Sequence, residues 1–245
     1  MKYFFGHMKF LLSCLALLLL QPSLCIAQSS DKENPAEYSV AYAGETLYAV
    51  NFYRDNYSIF KKHFPGMDEG ALKVVYAVVA PEVSQYDPLA DFFEVKALQM
   101  KYVKDGNCDY SVGYFQMKPS FAESIEKEIS GNAALCDRYG KMFAYAADSE
   151  REQRRERVCR LCSLDWQVRY LAVFVEFVKR RTAGWGRADD EERLRCWATL
   201  YNAGRYLSRN RVLQRQGVKQ FPRGTREFNY SSVSLEFYRR LMEKQ

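Results

Sequence analysis

Histidine is nearly absent from this 245-residue chain, which has only His7 and His63. A metal centre built on imidazoles therefore has little to draw on, and no metal or cofactor is expected. A strong charge imbalance is missing too. Lys and Arg number 36 against 30 Asp and Glu, a formal +6, and losing Lys2 and Lys9 with the first 27 residues leaves +4. That mildly favours anionic partners and falls well short of a nucleic-acid binder, so none is expected. No internal repeat is visible, and no stretch alternates strongly enough to predict a sheet. What the chain does have is apolar bulk. It is 48% hydrophobic and 15% aromatic, the composition of a globular chain long enough for one good-sized core.

Residues 1–27 have the pattern of a secretory signal. Lys2 and Lys9 flank the start, Phe10 to Leu20 is apolar except at Ser13, and Cys25-Ile26-Ala27 supplies small residues for cleavage. The run is too short to span a bilayer comfortably. We therefore expect export to the periplasm or cell envelope, with no stable membrane span after cleavage. Residues 28–40 are polar and predict a flexible lead-in, followed by one domain over 41–245.

Five cysteines lie beyond the signal: Cys108, Cys136, Cys159, Cys162 and Cys196. In an exported protein some are expected to pair, with Cys108–Cys136 the leading link. Cys159 and Cys162 share a helix face but lack two further zinc ligands.

Helical spacing dominates the remainder of the chain. Glu45–Phe64 is predicted helical up to Pro65-Gly66, and Asp68 is placed to cap the next helix. Pro88 opens a helix to about Val103, with Phe92, Val95, Leu98 and Tyr102 as its apolar stripe. Tyr110–Met117 breaks the period, and helices resume from Pro119, Ala133, Ser149, Leu164 and Asp189, the last ending at Gly204. A final helix begins near Ser232. The arginines at 151, 154, 155, 157 and 160 alternate with glutamates and predict a solvated, salt-laced face. Trp185, between Gly184 and Gly186, suits either a hinge contact or a stacking platform.

Ala71 to Val79 is apolar all round except at Lys73, the mark of a helix through the middle of a domain. Pro81 interrupts it, and Glu82 comes next. A carboxyl held at the mouth of a buried helix loses hydration when ionised, so its pKa should rise. A general acid working near neutral pH needs that property.

Three short stretches occur in order: Pro81-Glu82-Val83-Ser84-Gln85-Tyr86-Asp87-Pro88, Gly113-Tyr114-Phe115-Gln116-Met117-Lys118-Pro119, and Leu200-Tyr201-Asn202-Ala203-Gly204. Together they resemble the lysozyme-like lytic transglycosylases and the goose-type lysozymes over roughly residues 68–205. The chain departs from that pattern in two ways. Val83 stands between Glu82 and the serine, and an additional helix lies between Glu82 and Gly113.

The resemblance implies a mainly α, two-lobed lysozyme-like fold with a central cleft. It implies cleavage of peptidoglycan glycan strands between N-acetylmuramic acid and N-acetylglucosamine, with Glu82 catalytic. Ser84, Gln116, Tyr201 and Asn202 would contact substrate; Gln116 could instead brace its own loop, and Tyr201 could be a core tyrosine. A transglycosylase needs one carboxyl group, which protonates the leaving oxygen and then takes the proton of the C6 hydroxyl to give a 1,6-anhydro product. A hydrolytic muramidase needs a second carboxylate, for which Asp109 and Glu94 are the candidates. A peptidoglycan-binding protein without catalysis on the same fold, or a helical envelope interaction protein, are the other readings.

Overall fold

A computed structural model describes residues 37–186 and 188–243 of the chain. The expected export signal, and residues 28–36 of the expected lead-in, lie outside the described residues. The fold is mainly α-helical, as predicted. Helices α1 (Glu37–Ala41), α2 (Ala43–Asp55) and α3 (Tyr57–His63) lead into α4 (Glu69–Ala77) and the short α5 (Ala80–Ser84). Helix α6 (Pro88–Ala97) runs through a π turn, Leu98–Tyr102, into α7 (Val103–Asp105). Then come α8 (Pro119–Gly131), α9 (Ala133–Phe143), α10 (Glu150–Leu161), α11 (Leu164–Thr182), α12 (Asp190–Ala203) and α13 (Arg209–Gln216). A two-stranded hairpin, β1 (Phe221–Arg223) and β2 (Arg226–Phe228), precedes the last helix, α14 (Tyr230–Met242).

The core forms around α4. Leu72, Val74, Val75, Tyr76 and Ala77 are buried on every side, and burial continues through Val78, Val79 and Ala80. Asp68 caps this helix by accepting from the Ala71 amide at 2.8 Å, and Lys73 pairs with Glu69 at 2.8 Å. Helices α12 and α14 pack on α4 and on each other, while α2 and α14 lie against α5. α11 supplies the second large block of core, from Val168 to Val178.

Four expectations are corrected, the first two by long-range contacts. The lead-in was expected to stay flexible to residue 40, yet Glu37–Ala41 is helical and Tyr38 is fully buried among Tyr42, Phe221, Phe228 and Phe237. Glu236 of α14 fastens it, accepting from the Tyr38 and Ser39 amides at 3.2 and 2.7 Å. These are donors that a helix start leaves unpaired.

The predicted solvated arginine face is also split. Arg157 and Arg160 are buried. Arg157 pairs with Glu126 at 2.6 Å, and the same glutamate accepts from Tyr170 at 2.6 Å. Arg160 donates to the Phe143 and Ala144 carbonyls and lies over the Tyr145 and Trp166 rings. The planar guanidinium suits such stacked, many-partnered burial.

The hairpin was not anticipated. Phe221 pairs with Phe228 and Arg223 with Arg226 around Gly224, whose φ is 59°, so the period-2 signal is only three residues long per strand. Lastly, all five described cysteines are free, Cys108 and Cys136 included. Hydrogen bonds from Ser120 to Asp109 tie the loop before Gly113 to α8.

Candidate active site

Glu82 owes its position to Pro81. A proline cannot donate to the carbonyl four residues back, so α4 cannot run on. The chain tightens instead, with the Val78 and Val79 amides bonding to the carbonyls of Val75 and Tyr76. A new helix, α5, then starts with Pro81 in its first turn. Glu82 was expected at a helix end; it sits in the first turn of α5. There the helix dipole favours the carboxylate by roughly 0.3–1 kcal/mol. Burial opposes it and wins. Crowded by protein, the Glu82 carboxyl is pushed up to about 7, with the Tyr230 hydroxyl partly offsetting the effect. Among the described residues, no second carboxylate contributes to that shift.

Tyr230, the first residue of α14, has one hydroxyl proton and two acceptors in reach. It donates to the Val78 carbonyl at 3.0 Å, one of the groups left over where α4 ends. It also lies close enough to Glu82 for each group to alter the other's proton affinity. Burial first, and the Glu82 charge second, raise the Tyr230 hydroxyl well above its ordinary value. Neutral Glu82 leaves the Tyr230 proton on Val78; ionised Glu82 competes for it.

Gly113 to Met117 forms a tight turn closed by the Val112–Met117 pair, with reciprocal amide–carbonyl bonds of 3.0 and 3.1 Å. Gly113 has φ 74°, and a Cβ there would lie 1.5 Å from Gln167 Nε2; no other residue fits. Two side chains brace the turn from outside. Asp91 accepts from the Gly113 amide at 2.6 Å. Buried Gln167 accepts from the Phe115 amide at 3.0 Å and donates to the carbonyls of Val112 and Leu161. Gln116 itself has φ 48°, left-handed backbone that is uncommon for a residue with a side chain. Its Nε2 donates to the Gly113 carbonyl at 3.0 Å. Bracing of its own loop is thus one role Gln116 has.

The three motifs close on one another. Tyr201 donates from Oη to the Phe115 carbonyl at 2.7 Å, beside Gln116, and its ring meets Phe121 and Phe174 edge-on at 5.6 and 5.4 Å. Burial and the nearby Glu82 charge raise its hydroxyl well above the usual range. Tyr86 of the first motif packs tilted at 42° against Tyr114 of the second, ring centroids 4.5 Å apart, and donates to Asp91 at 3.4 Å. Asn202 is exposed and lines a cavity of about 20 Å³ with Phe221, Asn229 and Tyr230, room for about one water.

Two expected site residues lie elsewhere. Ser84 is buried, donating to the Pro81 carbonyl at 2.7 Å and sharing a 2.8 Å bond with Tyr38; its hydroxyl joins α5 to α1 and does not face an open cleft. Asp109 caps α8 from outside, accepting from the Ser120 amide at 2.9 Å and the Ser120 hydroxyl at 2.7 Å. Glu94 is half-buried on α6, raised by burial and by the Asp91 charge. Sequence reasoning missed Tyr230, Asp91 and Gln167, none of which stands in a recognisable motif. Only the helix-opening Asn229 marks the neighbourhood of Tyr230.

In comparisons with known proteins, no family model, no curated protein and no solved structure matches the chain.

Proposed function

We propose that this protein is an exported enzyme of the cell envelope that cleaves peptidoglycan glycan strands by single-carboxyl chemistry, as a lytic transglycosylase on a two-lobed lysozyme-like fold. The observation that carries the reading is Glu82: burial pushes its carboxyl up to about 7, and among the described residues no other carboxylate contributes to that shift. Neutral Glu82 gives its proton to the glycosidic oxygen as the C1–O bond breaks. The resulting carboxylate takes the proton of the muramic C6 hydroxyl, whose oxygen bonds to C1, and Glu82 returns to its starting state. One group whose pKa lies near the working pH serves both steps. Tyr230 moderates it by offering its proton to the carboxylate between the two transfers. Gln116, with its backbone held in a left-handed turn, and Asn202 are the polar groups for sugar amides in this reading.

Hydrolysis is the lesser reading because Asp109 is engaged with Ser120, leaving Glu94 as its only named second carboxylate. The decisive experiment digests purified sacculi with wild-type protein and with Glu82→Gln, and reads the products by mass spectrometry. Anhydro-muropeptides from wild type and none from the variant are expected. Reducing ends would turn the reading to a muramidase. Binding without release would turn it to a peptidoglycan-binding protein, and neither binding nor release would overturn it.

A further inference from the structure

Helix α6 and the π turn after it carry a face that the fold leaves uncovered. Leu89, Phe92, Phe93, Lys96 and Met100 fall at i, i+3, i+4, i+7 and i+11, so they share one side of the helical cylinder. Leu89 is 66% exposed, Phe92 53%, Phe93 63% and Met100 72%, and no residue of α6 is buried. The other side does the packing, through half-buried Val95 and buried Leu98 and Tyr102. Phe92, expected in that inward stripe, has turned out of it. The two phenyl rings meet edge-on at 5.6 Å, and the Lys96 ammonium lies 5.5 Å from the Phe92 centroid. A lone exposed apolar residue is ordinary; four large ones along one ridge mark a contact surface.

Charge indicates what covers it. The exposed cations of this segment are Lys96, Lys101 and Lys104. Its acids lie off the ridge: Asp91 and Glu94 fall two and five residues after Leu89, on the opposite side of α6. Asp87 caps the Leu89 and Ala90 amides, Asp91 holds the Gly113 amide, and Asp105 accepts from the Asn107 amide. The half-buried Glu94 carboxyl is raised by burial. An aromatic ridge fringed by lysines matches a lipid interface, which adapts to a projecting helix without a preformed groove. Phenyl rings enter the headgroup–acyl boundary, while lysine stems lie along it with their ammonium groups on phosphates. Among the described residues no helix is long and apolar enough to cross a membrane, so contact of this kind would be with the surface.

We propose that the α6 ridge is a monotopic membrane-binding surface for anionic phospholipid, with Phe92 and Phe93 seated in the interface and Lys96, Lys101 and Lys104 on headgroup phosphates. The inference does not depend on Glu82. Its test is vesicle binding by exported, purified protein carrying Phe93→Trp, read against wild type with its own three tryptophans. In vesicles of phosphatidylcholine mixed with phosphatidylglycerol, the added tryptophan should shift to the blue and be quenched by brominated acyl chains. Phosphatidylcholine alone should give a much smaller response. Phe92→Ser combined with Phe93→Ser should weaken partitioning by about ten-fold or more. Lys96→Glu should weaken it several-fold, with the loss shrinking at high salt. These positions are on the surface, and circular dichroism checks that the variants fold. Absence of quenching in both vesicle types overturns the proposal, as does binding that the double variant retains. A shift that grows with protein concentration without lipid also overturns it, making the ridge a contact between copies of this chain.

Discussion

Glu82 faces two opposing demands. Burial keeps its proton on, and that same burial costs stability once the proton leaves. Its pKa of about 7 in the fold lies above the ordinary 4.5, so below pH 4.5 folded and unfolded chains are both protonated there and the site costs nothing. Between the two values the folded state holds a proton that the unfolded state has released, and stability falls as pH rises. Glu82→Gln removes this dependence. The variant should match wild type at pH 4 and exceed it at pH 8 by on the order of 2–3 kcal/mol, read from denaturant midpoints. On the proposed reading, cleavage should respond the other way, dropping about 10²–10⁴-fold in the variant, and the wild-type rate should fall above about pH 7 as Glu82 ionises. Tyr230→Phe separates the two acceptors of that hydroxyl. Leaving the Val78 carbonyl unpaired should cost roughly 1–3 kcal/mol. Removing a donor from ionised Glu82 should move the alkaline limb of the pH–rate profile upward, a change that a purely structural hydroxyl would not produce.

Among the elements, the Gly113–Met117 turn carries the most constraint for its size. Asp91 from α6 and Gln167 from α11 hold it on two sides, and Tyr201 from α12 holds it on a third. Gly113→Ala would drive a methyl into Gln167 and force φ 74° on a residue with a Cβ. Displacing Gln167 strands the Phe115 amide and the Leu161 carbonyl. We expect a loss of about 3 kcal/mol or more, seen as a melting temperature lower by roughly 6–12 °C for a chain of this size. Part of this turn was legible in the sequence. Gly113 in the middle of a stretch without helical period marked an irregular segment, and that is what forms. Its braces come from residues 22 and more than 50 positions away in the chain, which no local pattern encodes.

For the whole molecule, the two ends of the described domain are joined. Glu236 near the carboxyl end caps α1 near the amino end, and Ser84 of α5 reaches the same Tyr38. Glu236→Ala should release α1 and the ring cluster around Tyr38 at a cost of roughly 1–3 kcal/mol. Limited proteolysis should then cut between α1 and α2 while the rest of the domain stays protected.

Short-range physics acts between neighbours, and there the amino-acid order was sufficient. The all-round apolar run of α4, the proline that ends it, and the caps Asp68 and Asp189 all come from residues within about two helical turns. The mainly helical class and the order of the three motifs were readable for the same reason. The fate of a hydroxyl or charge depends instead on what the folded chain brings to it. Ser84 turned to Tyr38, 46 residues away, and Asp109 to Ser120. Arg157 and Arg160 turned inward to Glu126 and to carbonyls, Phe92 turned outward, and Tyr38 met a glutamate 198 residues along the chain. Burial and hydrogen-bond partnership are properties of the packed molecule, so those positions could be settled only once distant segments lay side by side.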